Sequence, residues 1–138
     1  MRKTIALATI LSLVLAACAV AGGSESPVDP EPIAGTAPDG WSRGQAFAST
    51  TEVFILESFP IQVRLAVEGE LPTPCHVPVW EVVDDGETIA VVLESAADPD
   101  QMCAQVVEPF EASIDLGSFS QGSRTVTLNG ETVGEFSA

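Results

Sequence analysis

The sequence has few cations and few of the residues on which catalysis and metal binding depend. It contains five lysines and arginines against twenty acidic residues, one histidine and no tyrosine. So few cations exclude a basic surface for nucleic-acid phosphates. A serine or cysteine hydrolase would have to use His76, and neither a G-x-S-x-G motif nor a zinc-ligand spacing occurs. We therefore expect no enzyme activity, no resident metal and no cofactor.

The sequence also lacks an apolar run long enough to cross a membrane. Residues 4–17, TIALATILSLVLAA, carry no charge and follow Arg2 and Lys3. A membrane-spanning helix needs about 20 apolar residues, whereas this shorter length is typical of the core of a signal peptide. The run therefore predicts export, with residues 1–17 as the signal peptide.

The four residues at the end of this run, Leu15-Ala16-Ala17-Cys18, resemble the lipobox of bacterial lipoproteins at every position. The resemblance implies that Cys18 becomes the mature N-terminus and carries acyl chains such as palmitate. They would anchor the exported chain to a bacterial membrane, the outer one where the host has two, because Ala19 does not impose inner-membrane retention. The alternative is an ordinary signal peptide that ends near a cysteine.

Cleavage before Cys18 would make the chain still more acidic. Two of the five cations would be lost, so the side-chain charge would change from −15 to −17. Such a surface repels anionic lipid head groups, which leaves the acyl chains as the membrane contact.

The chain contains three cysteines. If Cys18 carries lipid, Cys75 and Cys103 can pair, and a disulfide persists in the oxidising compartments that exported proteins enter. The closed loop would hold 29 residues, counting both ends. The chain-entropy estimate for that length is about 3.6 kcal/mol of stabilisation.

Beyond Cys18 the composition changes twice. Residues 18–49 are rich in proline and glycine and show no apolar period, which predicts a flexible linker. From Thr50 the apolar period is two, most clearly over 61–68, and Asp84-Asp85-Gly86-Glu87 and Asn129-Gly130 are hairpin turn signals. Strands are predicted over 51–58, 61–69, 77–83, 88–95, 104–108, 110–116, 125–128 and 131–136.

Seven or eight short strands without a helical period predict an all-β domain over 50–138. With short antiparallel links, the expected fold is an immunoglobulin-like antiparallel β-sandwich. Cys75 and Trp80 fit the cysteine–tryptophan pattern of that fold, although the two cysteines lie closer in sequence than in true immunoglobulin domains.

Two segments carry a second resemblance. LESFPIQVRLAVEGELPTPC and PFEASIDLGSFSQGSRTVTLNG resemble a group of uncharacterised bacterial exported lipoproteins over roughly residues 52–130. The shared marks are the turn formed by Gly69, Leu71, Pro72 and Cys75 and the final hairpin. The resemblance implies a β-sandwich behind a lipobox and a spacer, and it brings no activity.

We therefore expect a membrane-anchored envelope lipoprotein whose domain is a non-catalytic binding or accessory module for a partner protein or glycan. One alternative is a protease inhibitor that acts through the 72–78 loop, with Pro72, Thr73, Pro74 and His76 as contact residues on a rigid exposed loop. The same loop could simply brace the chain between two strands.

Metal binding is the other alternative. Oxygen ligands for calcium are clustered in two acidic turns, which could equally be solvated turns. His76 and Met102 would be opposed, as copper ligands require, if the two cysteines faced each other on neighbouring antiparallel strands. The candidate calcium ligands are Asp84, Asp85, Glu87, Asp98 and Asp100.

Overall fold

A computed structural model describes residues 35–138, which form eight β-strands in two sheets. No helix in this part of the chain could cross a bilayer. The strands are β1 (Ser42–Gln45), β2 (Phe47–Leu56), β3 (Ile61–Leu71), β4 (His76–Asp84), β5 (Thr88–Ala97), β6 (Glu108–Phe119), β7 (Ser123–Leu128) and β8 (Glu131–Ser137).

The smaller sheet has the strand order β2-β3-β6, with both pairs antiparallel. Its central strand β3 alternates between buried and exposed side chains, as its sequence predicts. One face therefore lies against the other sheet, and the opposite face is solvated.

The larger sheet is organised around β5. One edge of β5 pairs with β4 along nearly its whole length. The other edge pairs with β7 over Thr88–Val91 and with β1 over Glu94–Ala97, and β8 then pairs with β7. The β5–β7 pair is parallel, so the predicted antiparallel arrangement holds for every other strand pair of the described chain.

The core lies between the two sheets and is almost entirely aliphatic. Val63, Leu65 and Val67 of β3 are completely or almost completely buried, as are Ile89 and Val91 of β5. The two sheets enclose these residues as in an immunoglobulin-like β-sandwich, which confirms the predicted fold class. The remaining core residues are Ala46, Leu71, Leu93, Phe110, Ile114, Leu116, Val126, Leu128 and Phe136.

Both predicted hairpin turns are confirmed. Asn129 and Gly130 have φ angles of 50° and 86°, the left-handed conformation that a type I′ turn requires. The turn between β4 and β5 places Gly86 at a φ of 98°, and the carboxylates of Asp84 and Asp85 accept hydrogen bonds from the backbone of the turn. The turn residues therefore correctly predict the β4–β5 and β7–β8 connections.

The domain begins before the predicted boundary at residue 50. β1 and the first three residues of β2 lie inside the predicted flexible linker 18–49. Gly35 also pairs with Val79 on β4 in an isolated parallel bridge. All four β1 residues are exposed, so this strand forms by backbone pairing and leaves no apolar period. The predicted signal peptide 1–17, Cys18 and residues 19–34 of the linker lie outside the described residues.

The prediction of a strand over residues 104–108 is wrong for nearly the whole segment. Residues 98–107 form an irregular connection, and β6 begins only at Glu108. Val106 and Val107 are more than half exposed. Their β-branched side chains suit a strand, but no neighbouring strand is in place to pair with them.

Candidate functional site

A disulfide joins the β3–β4 turn to the 98–107 loop at one end of the sandwich. Cys75 and Cys103 are joined, with their Cα atoms 6.0 Å apart. Cys75 directly precedes β4, whereas Cys103 lies within the irregular loop instead of at a strand start. The predicted pairing is thus present, and it joins a tight turn to a loop.

The 72–78 segment is a brace and is mostly half-buried. Thr73 is 6 % exposed, and its hydroxyl lies 2.7 Å from Nδ1 of His76. The backbone N–H of His76 donates to the carbonyl oxygen of Thr73 at 3.1 Å. Of residues 72–78 only Pro74 is exposed. Because an inhibitory loop must project into a protease cleft, this geometry disfavours the protease-inhibitor hypothesis.

His76 and Met102 are not opposed. The strand register pairs His76 with Ala97, the last residue of β5. Met102 lies in the loop that follows β5 and is 98 % exposed. The copper hypothesis assumed two facing strands through both cysteines, and that assumption is wrong because the chain leaves the sheet after Ala97.

The five candidate calcium ligands divide between opposite ends of the sandwich. Asp84, Asp85 and Glu87 lie before β5, and Asp98 and Asp100 follow it. A ten-residue strand is about 30 Å long, so the two groups cannot share a cation. Among residues 35–138 no three His, Cys, Asp or Glu residues are placed to hold a metal.

These carboxylates instead organise their own turns. Asp85 accepts hydrogen bonds from the backbone N–H groups of Thr88 and Glu87 at 2.7 and 2.9 Å. Asp98 accepts one from Asp100 at 2.9 Å. The N–H of Thr88, followed by that of Glu87, lowers the pKa of Asp85, and the positive charge of Arg124 acts in the same direction. The geometry therefore favours the interpretation as solvated turns.

An exposed apolar surface that the sequence did not predict lies along β2, an edge strand of the smaller sheet. Phe54, Ile55 and Leu56 at the end of β2 are 45, 48 and 40 % exposed, and Phe59 in the following turn is 87 % exposed. The sequence shows only a short apolar run, which is equally typical of a strand buried on both faces. The signal is ambiguous because only the strand order reveals that β2 is an edge strand.

A groove of about 580 Å³ lies beside this edge, at the end of the sandwich that contains the β4–β5 turn. Its lining includes the apolar side chains of Ile55 and Phe136 and the charged side chains of Arg124, Glu87 and Glu135. The Arg124 guanidinium lies 5.5 Å from the centroid of the Phe119 ring, and its Nε lies 3.4 Å from Oδ1 of Asp84. The one cation of the groove is thus held by protein contacts.

Comparison with known proteins gives a family for the β-sandwich. No curated protein and no solved structure matches the chain significantly. Residues 65–138 match the family model of the ORF11 beta-sandwich domain. This match begins in the middle of β3 and extends through β8, which is more than half of the chain. The protein therefore belongs to the ORF11 beta-sandwich domain family.

Proposed function

We propose that this protein is a bacterial envelope lipoprotein, anchored through acyl chains on Cys18, whose β-sandwich is a non-catalytic binding or accessory module. Its partner would be another envelope protein or a glycan. The anchor would place it in the outer membrane of a host that has two membranes.

The division of the three cysteines carries this proposal. Cys75 and Cys103 bond to each other, which leaves Cys18, at the end of the lipobox-like sequence, available for acylation. A disulfide of this kind persists in exported proteins and is rare in a reducing cytosol. Signal length, lipobox and disulfide thus support the same exported location.

The binding role rests on the kind of surface the sandwich presents. A sandwich offers loops at both ends and exposed sheet edges, and both suit recognition of a partner. The sole histidine is engaged with Thr73 beside the disulfide, and the acidic turns use their carboxylates to satisfy backbone N–H groups. Both observations favour a structural use of residues that would otherwise be candidates for chemistry.

The anchor is tested by expressing the full chain in a bacterium supplied with radiolabelled palmitate. The wild-type protein should take up label and fractionate with the membrane. Cys18→Ser should take up none, whereas the matched double variant Cys75→Ser/Cys103→Ser should be labelled as the wild type is. An unlabelled wild-type protein, or label that depends on Cys75 or Cys103, contradicts the proposal.

A further inference from the structure

The outer edge of β2 has unpaired backbone groups over a long, regular stretch. In the described chain β2 pairs with β3 alone. Its register with β3 runs without a break from Thr50 to Leu56, after a bulge near Ala48. A regular edge of this length is a template for pairing with another strand.

β2 also lacks the features by which other edges are protected. The outer edge of β4 is occupied by Gly35, whose N–H donates to Pro78 and whose carbonyl accepts from Trp80, both at 3.2 Å. The edge strand β6 contains Pro109 and three acids, and its register with β3 shifts near Gly117. Residues 50–56 contain no proline, glycine or lysine and a single charge, at Glu52.

The charges around β2 indicate what kind of strand it would accept. Glu52 on the strand, Glu57 after it, and Glu87 and Glu135 at the groove are all exposed carboxylates. Two arginines lie nearby: Arg64 is exposed on β3 opposite Phe54, and Arg124 is already held by Asp84 and Phe119. The four carboxylates outnumber these two cations. A second copy would oppose acids with acids, whereas a basic segment would be attracted.

We propose that the free edge of β2 binds an extended, basic segment of a partner protein, which adds a fourth strand to the sheet. Backbone hydrogen bonds would supply affinity, and alternate side chains would supply specificity. Apolar side chains on one face would cover Phe54 and Leu56, and a residue on the other face would contact Ile55. Lysine or arginine near the ends would pair with Glu52, Glu57 or Glu135.

This inference rests on the proposed binding role and is independent of the lipid anchor. The test uses the full-length chain in a non-ionic detergent and a fluorescent nine-residue peptide of alternating valine and lysine. A matched peptide carries glutamate in place of lysine, and empty micelles correct for partitioning. The lysine peptide should bind with an affinity that falls with salt, and the glutamate peptide about tenfold or more weakly.

Two variants locate the site. Phe54→Lys, which places a charge on the edge, should weaken binding about tenfold or more, and Leu56→Lys should act similarly. Val92→Lys is the matched control, because Val92 is 47 % exposed in β5, a central strand of the other sheet, and it should change affinity less than about twofold. Hydrogen exchange should show the peptide protecting residues 50–56.

Three results would overturn the proposal: equal binding of the glutamate peptide, protection confined to another segment, or sedimentation that shows the free protein to be a dimer through β2. Protection elsewhere would reject this edge while leaving the binding role in place. Loss of palmitate labelling would reject the anchor while leaving the edge in place.

Discussion

Asn129 lies where two strands share one edge of β5. β7 pairs with β5 up to Val91, and β1 pairs with it from Glu94. In the gap, the side-chain oxygen of Asn129 accepts from the N–H of Leu93 at 2.8 Å, and its amide donates to the Leu93 carbonyl at 3.1 Å. The side chain thus replaces the missing strand residue while the backbone makes the type I′ turn.

Asn129→Ala should lower the free energy of unfolding by about 2–3 kcal/mol, because both Leu93 groups lose their partner and alanine is strained at positive φ. Asn129→Gly, which removes only the hydrogen bonds, should cost about 1–2 kcal/mol. Urea denaturation measures both. An alanine variant as stable as the wild type would show that the side chain does not bridge the two strands.

Asp85 predicts a pH dependence of stability. Backbone N–H groups hold its folded-state pKa below the ordinary value, so the ionised form stabilises the native protein. This contribution is fully present above the unfolded pKa of about 3.9 and is lost as pH falls through the lower folded-state pKa.

The variant Asp85→Asn keeps an oxygen acceptor but cannot ionise. It should be less stable than the wild type at neutral pH, and the difference should shrink as the pH falls below about 4. Urea midpoints collected across the acid range measure this. A difference that is constant with pH would mean that the charge of Asp85 does not contribute.

At the scale of the strands, Gly69 shows how closely β2 and β3 approach near the bulge. A Cβ atom at Gly69 would lie 2.1 Å from the carbonyl oxygen of Phe47 and 2.8 Å from the Phe110 ring. The first of these neighbours is backbone, which cannot move without disturbing the pairing of β2 with β3. Glycine is thus required here by space.

Gly69→Ala should therefore destabilise the domain by about 2–4 kcal/mol. The neighbouring exposed residue of β3 provides a matched control, since Glu70→Ala should change stability by less than about 0.5 kcal/mol. Thermal unfolding of the two variants compares them directly. If both variants melt together, β2 can shift at the bulge without cost.

The sequence predicts the strands that bury only one face, because their apolar and polar residues alternate. β3 and β6 carry alternating apolar residues because one face of each contacts the core, and the two hairpins carry residues that tolerate positive φ. β1 was not predicted because its four residues are all exposed and leave no apolar pattern. The apolar Val106 and Val107 gave a false strand, since propensity does not reveal whether a partner is present.

The candidate sites also divide into those that the sequence predicts and those that depend on the strand order. Cysteine parity predicts the disulfide, because it depends only on counting. The β2 edge, the parallel β5–β7 pair and the separation of His76 from Met102 depend on which strands become neighbours, and a local pattern does not contain that information. Because β2 is an edge strand, the apolar run Phe54–Leu56 is exposed on the surface instead of being buried in the core.

At the scale of the whole molecule, the chain passes between the two sheets four times within the described residues. Two of these crossings, the β3–β4 turn and the 98–107 loop, lie at the same end and are joined by the disulfide. The side-chain and turn hydrogen bonds of the 98–107 loop are local, such as those from Gln101 to Asp98 and from Gln105 to Cys103. The covalent bond is thus the main connection between this loop and the β3–β4 turn.

Because it closes a loop that contains the whole β4–β5 hairpin, the disulfide should contribute about 2–4 kcal/mol to stability. The double variant Cys75→Ser/Cys103→Ser should lose this amount in urea denaturation, and dithiothreitol should lower the wild-type midpoint to that of the variant without affecting the variant itself. Since both crossings depend on the bond, hydrogen exchange should rise first in residues 98–107. A reductant-insensitive wild-type midpoint would mean that the bond between the β3–β4 turn and the 98–107 loop does not stabilise the domain.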